Sequence, residues 1–308
     1  MTTTAEVTIK HEERTAHRSL WGDVWRQFRK HKGALVGMFI FVFLILFSVV
    51  GPFVWTIDDQ YVDILVANQG PSTAHPLGTD NLGRDMLAQM MVGGRISISV
   101  GLTAMSISLT VGVLIGIIAG YFPALDNPLM RLTDMFFALP ILPLLLVIIT
   151  LFRDFLQTTL GTELGIFLLI VSVIGATSWM RTARVVRGEV LAVKQQEFVL
   201  AATSIGTRPR KIIARHIFPN VLSPVMVAAA LGIAAAILTE SALSFLGLGF
   251  PPDFPTWGRL LFDGKDFIIV TPMRVVWPGL AISLTVLSVN FIGDGLRDAL
   301  DPRLRGRK

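Results

Sequence analysis

Residues 96–125 read ISISVGLTAMSISLTVGVLIGIIAGYFPAL, a run with no Asp, Glu, Lys, Arg or His. A bilayer's hydrocarbon core is about 30 Å thick, and a helix crosses it in roughly 20 apolar residues. A Lys, Arg or Asp at mid-span costs about 2.5–3.5 kcal/mol on insertion scales. Ile96–Leu125 therefore reads as a membrane span with length to spare for tilt or an interfacial turn. Five further charge-free stretches share its character: Ala34–Ile57, Met135–Phe152, Leu164–Met180, Ile217–Thr239 and Val275–Gly293. The third and fourth spans in chain order are short, so their ends are expected to extend past Asp134 and Glu163. The expected fold class is all-α integral membrane, with six transmembrane helices.

Composition agrees. Hydrophobic residues make up 52% of the chain and charged residues 16%, against roughly 25% charged in soluble domains. The absence of cysteine excludes a disulfide framework and a thiolate metal site. The formal charge of +5 admits nucleic acid as a partner only if the basic residues are not explained by topology, and they are. Lys10, Arg14, Arg18, Arg26, Arg29, Lys30 and Lys32 precede the first span. The segment after it carries Asp58, Asp59, Asp63, Asp80 and Asp85 against Arg84. The segment after the fourth span carries Arg181, Arg184, Arg187, Lys194, Arg208, Arg210, Lys211 and Arg215 against Glu189 and Glu197, and the chain ends Arg303, Arg305, Arg307, Lys308. Basic segments mark cytoplasmic loops. This alternation predicts cytoplasmic N- and C-termini and a cytoplasmic 181–219 loop, which an even number of spans allows. The short 126–134 connection is expected on the same side and is nearly neutral.

The organisation read this way is a cytoplasmic segment 1–33, a first transmembrane helix 34–57, a periplasmic loop 58–95, a core 96–296 containing the 181–219 loop, and a basic cytoplasmic tail 297–308. Within 18–32, Leu20, Val24 and Phe28 recur every fourth position beside Trp21 and Trp25, with Arg18, Arg26, Arg29 and Lys30 interleaved. Such a basic amphipathic helix lies in the headgroup plane and orients the span that follows; membrane lipid is thus an expected partner. Gly112, Gly116 and Gly120 fall four apart on one helix face, a spacing that permits close helix packing.

Chemistry is mostly absent. The phosphate-cradling pattern G-x-x-x-x-G-K-[ST] does not occur, and Gly247-Leu248-Gly249 follows no strand. The six spans so drawn hold no Asp, Glu or His of the kind that relays ions; Glu240, just past the fifth, reads as a helix-end carboxylate at the water interface. The histidines are His11, His17, His31, His75 and His216, without zinc-helix spacing. No catalytic, cofactor-binding or metal residue is expected. A pore-forming subunit driven by a partner fits; a stand-alone secondary transporter or a scaffold is the alternative.

A partner would need a cytoplasmic handle. Glu197 begins a short helix whose amino end its charge complements. Phe198, Ala201, Ala202 and Ile205 fall at three- and four-residue spacing on one face, and Gly206 is placed to stop the helix. Spacing alone suits a docking helix and an ordinary solvated loop equally.

Here the sequence resembles a known family. Ala201, Ala202, Gly206 and Pro219 fall on the E-A-A, three residues, G, nine residues, I-x-L-P pattern of ATP-binding-cassette (ABC) importer permeases, with Leu200, His216 and Phe218 departing from it. His75-Pro76-Leu77-Gly78-Thr79-Asp80-Asn81-Leu82-Gly83-Arg84-Asp85 is similar to the C-type subunits of oligopeptide, dipeptide and nickel permeases. So are Gly94-Arg95-Ile96-Ser97, Met130–Asp134, Glu240–Gly249 and Pro255-Thr256-Trp257-Gly258. The resemblance runs from about residue 20 to 305. It implies a type I ABC importer transmembrane fold in the bacterial cytoplasmic membrane. It implies import of peptides, with nickel, glutathione or another small solute as the alternative cargo. The implied partners are a second homologous permease subunit forming a heterodimer, two cytoplasmic ABC ATPases and a periplasmic or lipid-anchored solute-binding protein. No cofactor of its own is implied, since ATP and Mg would bind the ATPases. Glu197, Phe198, Ala201, Ala202, Ile205 and Gly206 would form the ATPase contact, with alternating access as the mechanism. The substrate-binding residues stay unknown.

Overall fold

The computed structural model describes residues 20–300; Lys10, Arg14, Arg18 and the tail from Arg303 lie outside them. The described chain is helical, with one isolated bridge between Thr79 and Asp85. Its helices are α1 (Leu20–Phe28), α2 (Lys32–Val49), α3 (Gly51–Val54), α4 (Met86–Tyr121), α5 (Pro123–Phe137), α6 (Ile141–Leu160), α7 (Thr162–Lys194), α8 (Glu197–Ser204), α9 (Pro209–Ile212), α10 (Phe218–Phe245), α11 (Trp257–Gly264) and α12 (Met273–Leu300). Among the described residues, six stretches are long and apolar enough to cross a membrane: α2, α4, α6, α7, the run Pro209–Phe245, and α12.

Proline and capping set the boundaries. Pro52 opens the separate turn α3, so the first span ends at Val49 rather than Ile57. Asp85 caps α4 by accepting from Ala88 N–H at 2.7 Å. The second span therefore begins ten residues before Ile96, and the expected 58–95 loop is shortened. Pro123 starts α5, and Pro140 precedes α6; a proline cannot donate the N–H that a continuing helix needs. The third span is thus displaced. Its first residues, Met135–Phe137, belong to α5, and it runs on to Leu160 through Arg153 and Asp154 instead of extending back past Asp134. The connection 126–134 lies within α5. The fourth span continues to Lys194, so the first third of the expected 181–219 loop is helix. Phe218 N–H bonds the Ile213 carbonyl, five residues back. That wide turn lets the chain pass Pro219 without a break.

The core is a seam between α4 and α7. Added Cβ atoms on Gly112, Gly116 and Gly120 would lie 2.6 Å from Thr182 Cβ, 2.7 Å from Ala183 O and 2.7 Å from Val190 Cβ. The three small residues let the two helices run parallel in contact, as their spacing predicts. α10 crosses α4 in the opposite sense, Gly101 against Ile237 and Met105 against Gly232. α12 packs on α2 through Gly295–Ala34 and Gly37–Ser288. α6 packs along α7 and leaves Val147, Leu151 and Phe155 exposed.

These senses sort the connections into two ends. At one lie α1, α5, α8, α9 and both described chain ends, for Val24 and Phe28 pack on Ala299, Leu296 and Leu300. α1 thus rests Val24 and Phe28 on α12. At the other end lie the 55–85 loop, the α6–α7 turn and α11.

Candidate functional site

α8 is short and stands on the bundle by two side chains. Val199 and Ala202 are buried in a cluster with Ile117 of α4, Val186 and Val190 of α7, Ile212 of α9 and Val221 of α10. The single face expected for Phe198, Ala201, Ala202 and Ile205 is therefore divided. Ala202 points into the bundle. Phe198, Ala201 and Ile205 are exposed, Ile205 at 81%, together with Glu197 in the first turn. Phe198 leans toward His216, ring centroids 5.9 Å apart. Leu200, 54% exposed, joins the outward side; in sequence it registered only as a departure from a pattern. Val199 and Ile217 were missed as the anchors. Val199 and Ala202 are three apart and apolar, a signal overshadowed by the four residues read as one face.

Gly206 ends α8. Its φ is +76°. Gly206 N–H bonds the Thr203 carbonyl at 2.9 Å, and Thr207 N–H bonds the Ala202 carbonyl at 3.1 Å. This is the paired closure that a left-handed residue after a helix makes possible. A Cβ at Gly206 would touch nothing within 4 Å, so the constraint there is conformation rather than space.

The root of this end is held by ion pairs between α7 and α5. Arg187 donates to both Asp126 oxygens, at 2.5 and 2.7 Å. Arg184 reaches Asp134 at 2.6 Å and lies over Phe137. Lys194 Nζ donates to the Tyr121 carbonyl at 2.8 Å. The hydrogen bonds from Arg187 hold the Asp126 carboxyl below the usual carboxylate value, against a smaller push from burial. The two acids of 126–134 thus face arginines that the sequence places 50 and 61 residues away.

The opposite end is stitched by buried polar groups. Asp80 accepts from Arg84 Nε at 2.7 Å, Arg84 N–H at 2.9 Å, Leu82 N–H at 2.8 Å and Gln89 Nε2 at 3.1 Å. Burial works against its charge, and Arg84 with these donors outweighs it, so the carboxyl sits below its ordinary value. Asp85 accepts from Trp55 Nε1 at 3.1 Å and pairs with His75 at 2.8 Å. Arg274 of α12 reaches Asn81 at 2.9 Å and Asn68 at 3.3 Å. Glu240, expected at the water interface, is fully buried. It accepts from Ser244 Oγ at 2.7 Å and Ser97 Oγ at 3.1 Å, and Ser97 in turn accepts Trp257 N–H at 3.2 Å. The expectation failed because helix α10 continues to Phe245 and α11 folds back over it, neither of which shows in the local pattern. A buried carboxyl needs such partners, and these tie α4, α10 and α11 together.

Known proteins share this sequence and architecture. Residues 112–306 match the family described as binding-protein-dependent transport system inner membrane component. Residues 19–71 match the N-terminal transmembrane domain of oligopeptide transport permease C. The chain belongs to this permease family. It is 40% identical over 291 residues to the oligopeptide transport system permease protein OppC of Haemophilus influenzae, covering 94% of this chain and 90% of that protein. It is 37% identical to OppC of Bacillus subtilis, covering 93% and 91%. It is 35% identical to the glutathione transport system permease protein GsiD of Pectobacterium atrosepticum, covering 94% and 93%. Among solved structures, an inward-facing conformation of the MetNI methionine ABC transporter superposes with a TM-score of 0.55 at 14% identity. The superposition covers 70% of this chain and 98% of that one, and shows a shared fold.

The permease is therefore a multi-pass protein of the bacterial inner membrane and a subunit of an ABC importer. It is not an enzyme: hydrolysis belongs to separate ATPase subunits, and a substrate-binding protein completes the system.

Proposed function

We propose that this permease forms one half of the translocation path of a peptide importer. It would pair with a second, homologous permease subunit as a heterodimer, beneath a solute-binding protein and above two ATPases. Relatives 37–40% identical are named for oligopeptides or dipeptides. Glutathione, named for others, is itself a tripeptide and falls in the same chemical class.

The observation that carries the reading is the footing of α8. Its exposed side, Glu197, Phe198, Leu200, Ala201 and Ile205, is free to enter a groove. Its buried side, Val199 and Ala202, is packed on the ends of α4, α7 and α10. A push on α8 is therefore delivered to three spans at once. ATP and Mg bind the ATPases in this account, whose closure moves α8. The spans then alternate between an outward-open cavity that receives cargo and an inward-open one that releases it. The α8 end is the cytoplasmic one, since Arg29, Lys30, Lys32, Arg208, Arg210, Lys211 and Arg215 cluster there as the basic-inside rule requires.

The test is reconstitution of this chain with its partner permease, ATPases and binding protein in liposomes. Labelled tri- and pentapeptides should accumulate only with ATP and only with all subunits. Accumulation by this chain alone under an ion gradient would overturn the reading.

A further inference from the structure

Arg95 stands inside a membrane-crossing helix. The second charge-free stretch begins at Ile96, but α4 begins at Met86 and carries Arg95 as its one charged residue. Gly94 beside it abuts Ser48 in the last turn of α2 and Trp257 of α11, which puts Arg95 near the α11 end of the bundle. Arg95 is exposed, and it forms no ion pair among the described residues.

Arg95 heads a polar stripe. Ser99, Thr103, Ser106 and Thr110 follow at steps of four, four, three and four, which is one face of a helix with 3.6 residues per turn. Thr103, Ser106 and Thr110 are exposed and Ser99 is half-buried, with Leu102 at the edge. At 1.5 Å per residue the stripe runs about 22 Å along α4, most of a hydrocarbon core about 30 Å thick.

The other exposed faces differ. α2 shows Phe39, Phe43 and Leu46, and α6 shows Val147, Leu151 and Phe155. Thr150, Thr158 and Thr159 of α6 each donate to a carbonyl of their own helix, at 2.9, 2.9 and 2.6 Å. A hydroxyl satisfied in this way tolerates hydrocarbon. Ser106 and Thr110 do the same, at 2.8 Å each. The Ser99 and Thr103 hydroxyls and the Arg95 guanidinium make no hydrogen bond among the described residues. Polar groups in that condition require water or a polar partner.

Where α4 meets helices of its own chain, it does so through glycine: Gly94 on Trp257, Gly101 on Ile237, Gly112 on Thr182. The stripe has no such small residue. A dry contact with the second permease subunit would bury a guanidinium without its acid, which is costly. A wet path accommodates the cation and the hydroxyls alike, and charged side chains facing a cavity within a membrane mark the route of a solute. Charge then decides which solute. A bare divalent cation is repelled by Arg95. A peptide ends in a carboxylate, which a guanidinium grips through two parallel hydrogen bonds, and its amides suit hydroxyls that both donate and accept.

We propose that this face of α4 lines the cargo path, with Arg95 receiving the terminal carboxylate of a peptide and Ser99 and Thr103 its neighbouring amides. This rests on the importer reading above and assigns substrate contacts to named residues. Such contacts are blind to the side chains of the cargo.

The experiment uses the complete importer in proteoliposomes, with labelled trialanine and the solute-binding protein. Ser99→Cys and Thr103→Cys should react with a charged, water-soluble methanethiosulfonate, and saturating trialanine-loaded binding protein should slow that reaction. Leu151→Cys, on the apolar face of α6, should stay unreactive. Arg95→Gln should cut trialanine uptake roughly ten-fold, Arg95→Lys less and Arg95→Glu more. Ser99→Cys and Thr103→Cys variants as inert as Leu151→Cys overturn the proposal, and so does labelling that cargo does not slow. Undiminished uptake in Arg95→Gln overturns it too. Loss of a subunit from that variant on purification does the same, since Arg95 is then a subunit contact. If the wild-type complex takes up no trialanine, the importer reading falls and not merely the path.

Discussion

The two ends of the bundle are held by different means. At the α11 end, Asp80, Arg84, Asp85 and Glu240 are buried and bonded several times over. At the α8 end, the ionic contacts are partly exposed, with Arg184 and Asp134 side chains at 42% and 63%, and α8 rests on a small apolar seat. Buried polar networks fix one arrangement, because every alternative leaves a group without a partner. Exposed ion pairs are worth little, and a seat of two side chains can slide or tilt. The difference suits a molecule clamped at one end and moved from the other.

The largest break in this comparison is Arg84→Ala, which leaves the Asp80 carboxylate buried without its cation. Loss of one partner of a buried pair destabilises by about 3–5 kcal/mol, and the remaining donors to Asp80 place this case at the low end. Thermal unfolding of the purified permease should show a large drop in midpoint. Next comes Gly206→Ala, which puts a side chain at φ +76°. The left-handed conformation costs such a residue about 1–2 kcal/mol, concentrated at the end of α8. Uptake should fall while the unfolding midpoint of the whole chain hardly moves. Gly206→Asn should retain more uptake, since Asn tolerates this conformation. Arg187→Ala should be milder, about 1 kcal/mol or less, because its pair with Asp126 is partly open to water.

Acid sharpens the same contrast. Asp80 and Asp126 both have folded values below the ordinary one. A depressed carboxyl contributes stability above its unfolded value, about 3.9, and loses it as pH falls through the lower folded value. Unfolding midpoints measured below about pH 4 should therefore decline. In Arg84→Ala, where Asp80 has lost the cation that holds it down, the decline should be smaller.

The spans were legible because hydrocarbon imposes a crude rule, length without charge, that residues such as Ala34–Val49 obey openly. The seam of Gly112, Gly116 and Gly120 was legible because small residues four apart have few other uses in a span. The ends were not. Proline decided them at Pro52, Pro123 and Pro140, yet Pro219 passed through a helix because a wider turn absorbed it. The partners of Asp126 and Asp134, and the enclosure of Glu240 by Ser97 and α11, depend on contacts between distant segments, which no local pattern records. The face of α8 was half legible. Its spacing announced a helix with Glu197 at the start and Gly206 at the stop, but which side met the bundle depended on the apolar cluster around Ile117, Val186 and Val221.

The central claim is that the outward side of α8 is where an ATPase grips. The chain has no cysteine, so a single cysteine introduced into it is the one site on this subunit that can crosslink. Ile205→Cys and Leu200→Cys should each crosslink to a cysteine in the ATPase groove of the assembled importer, with a yield that changes when ATP is added, while buried Val199→Cys should not. Equal yields from Val199 and Ile205, or none from Ile205 and Leu200 in a complex that still hydrolyses ATP and imports peptide, would contradict it.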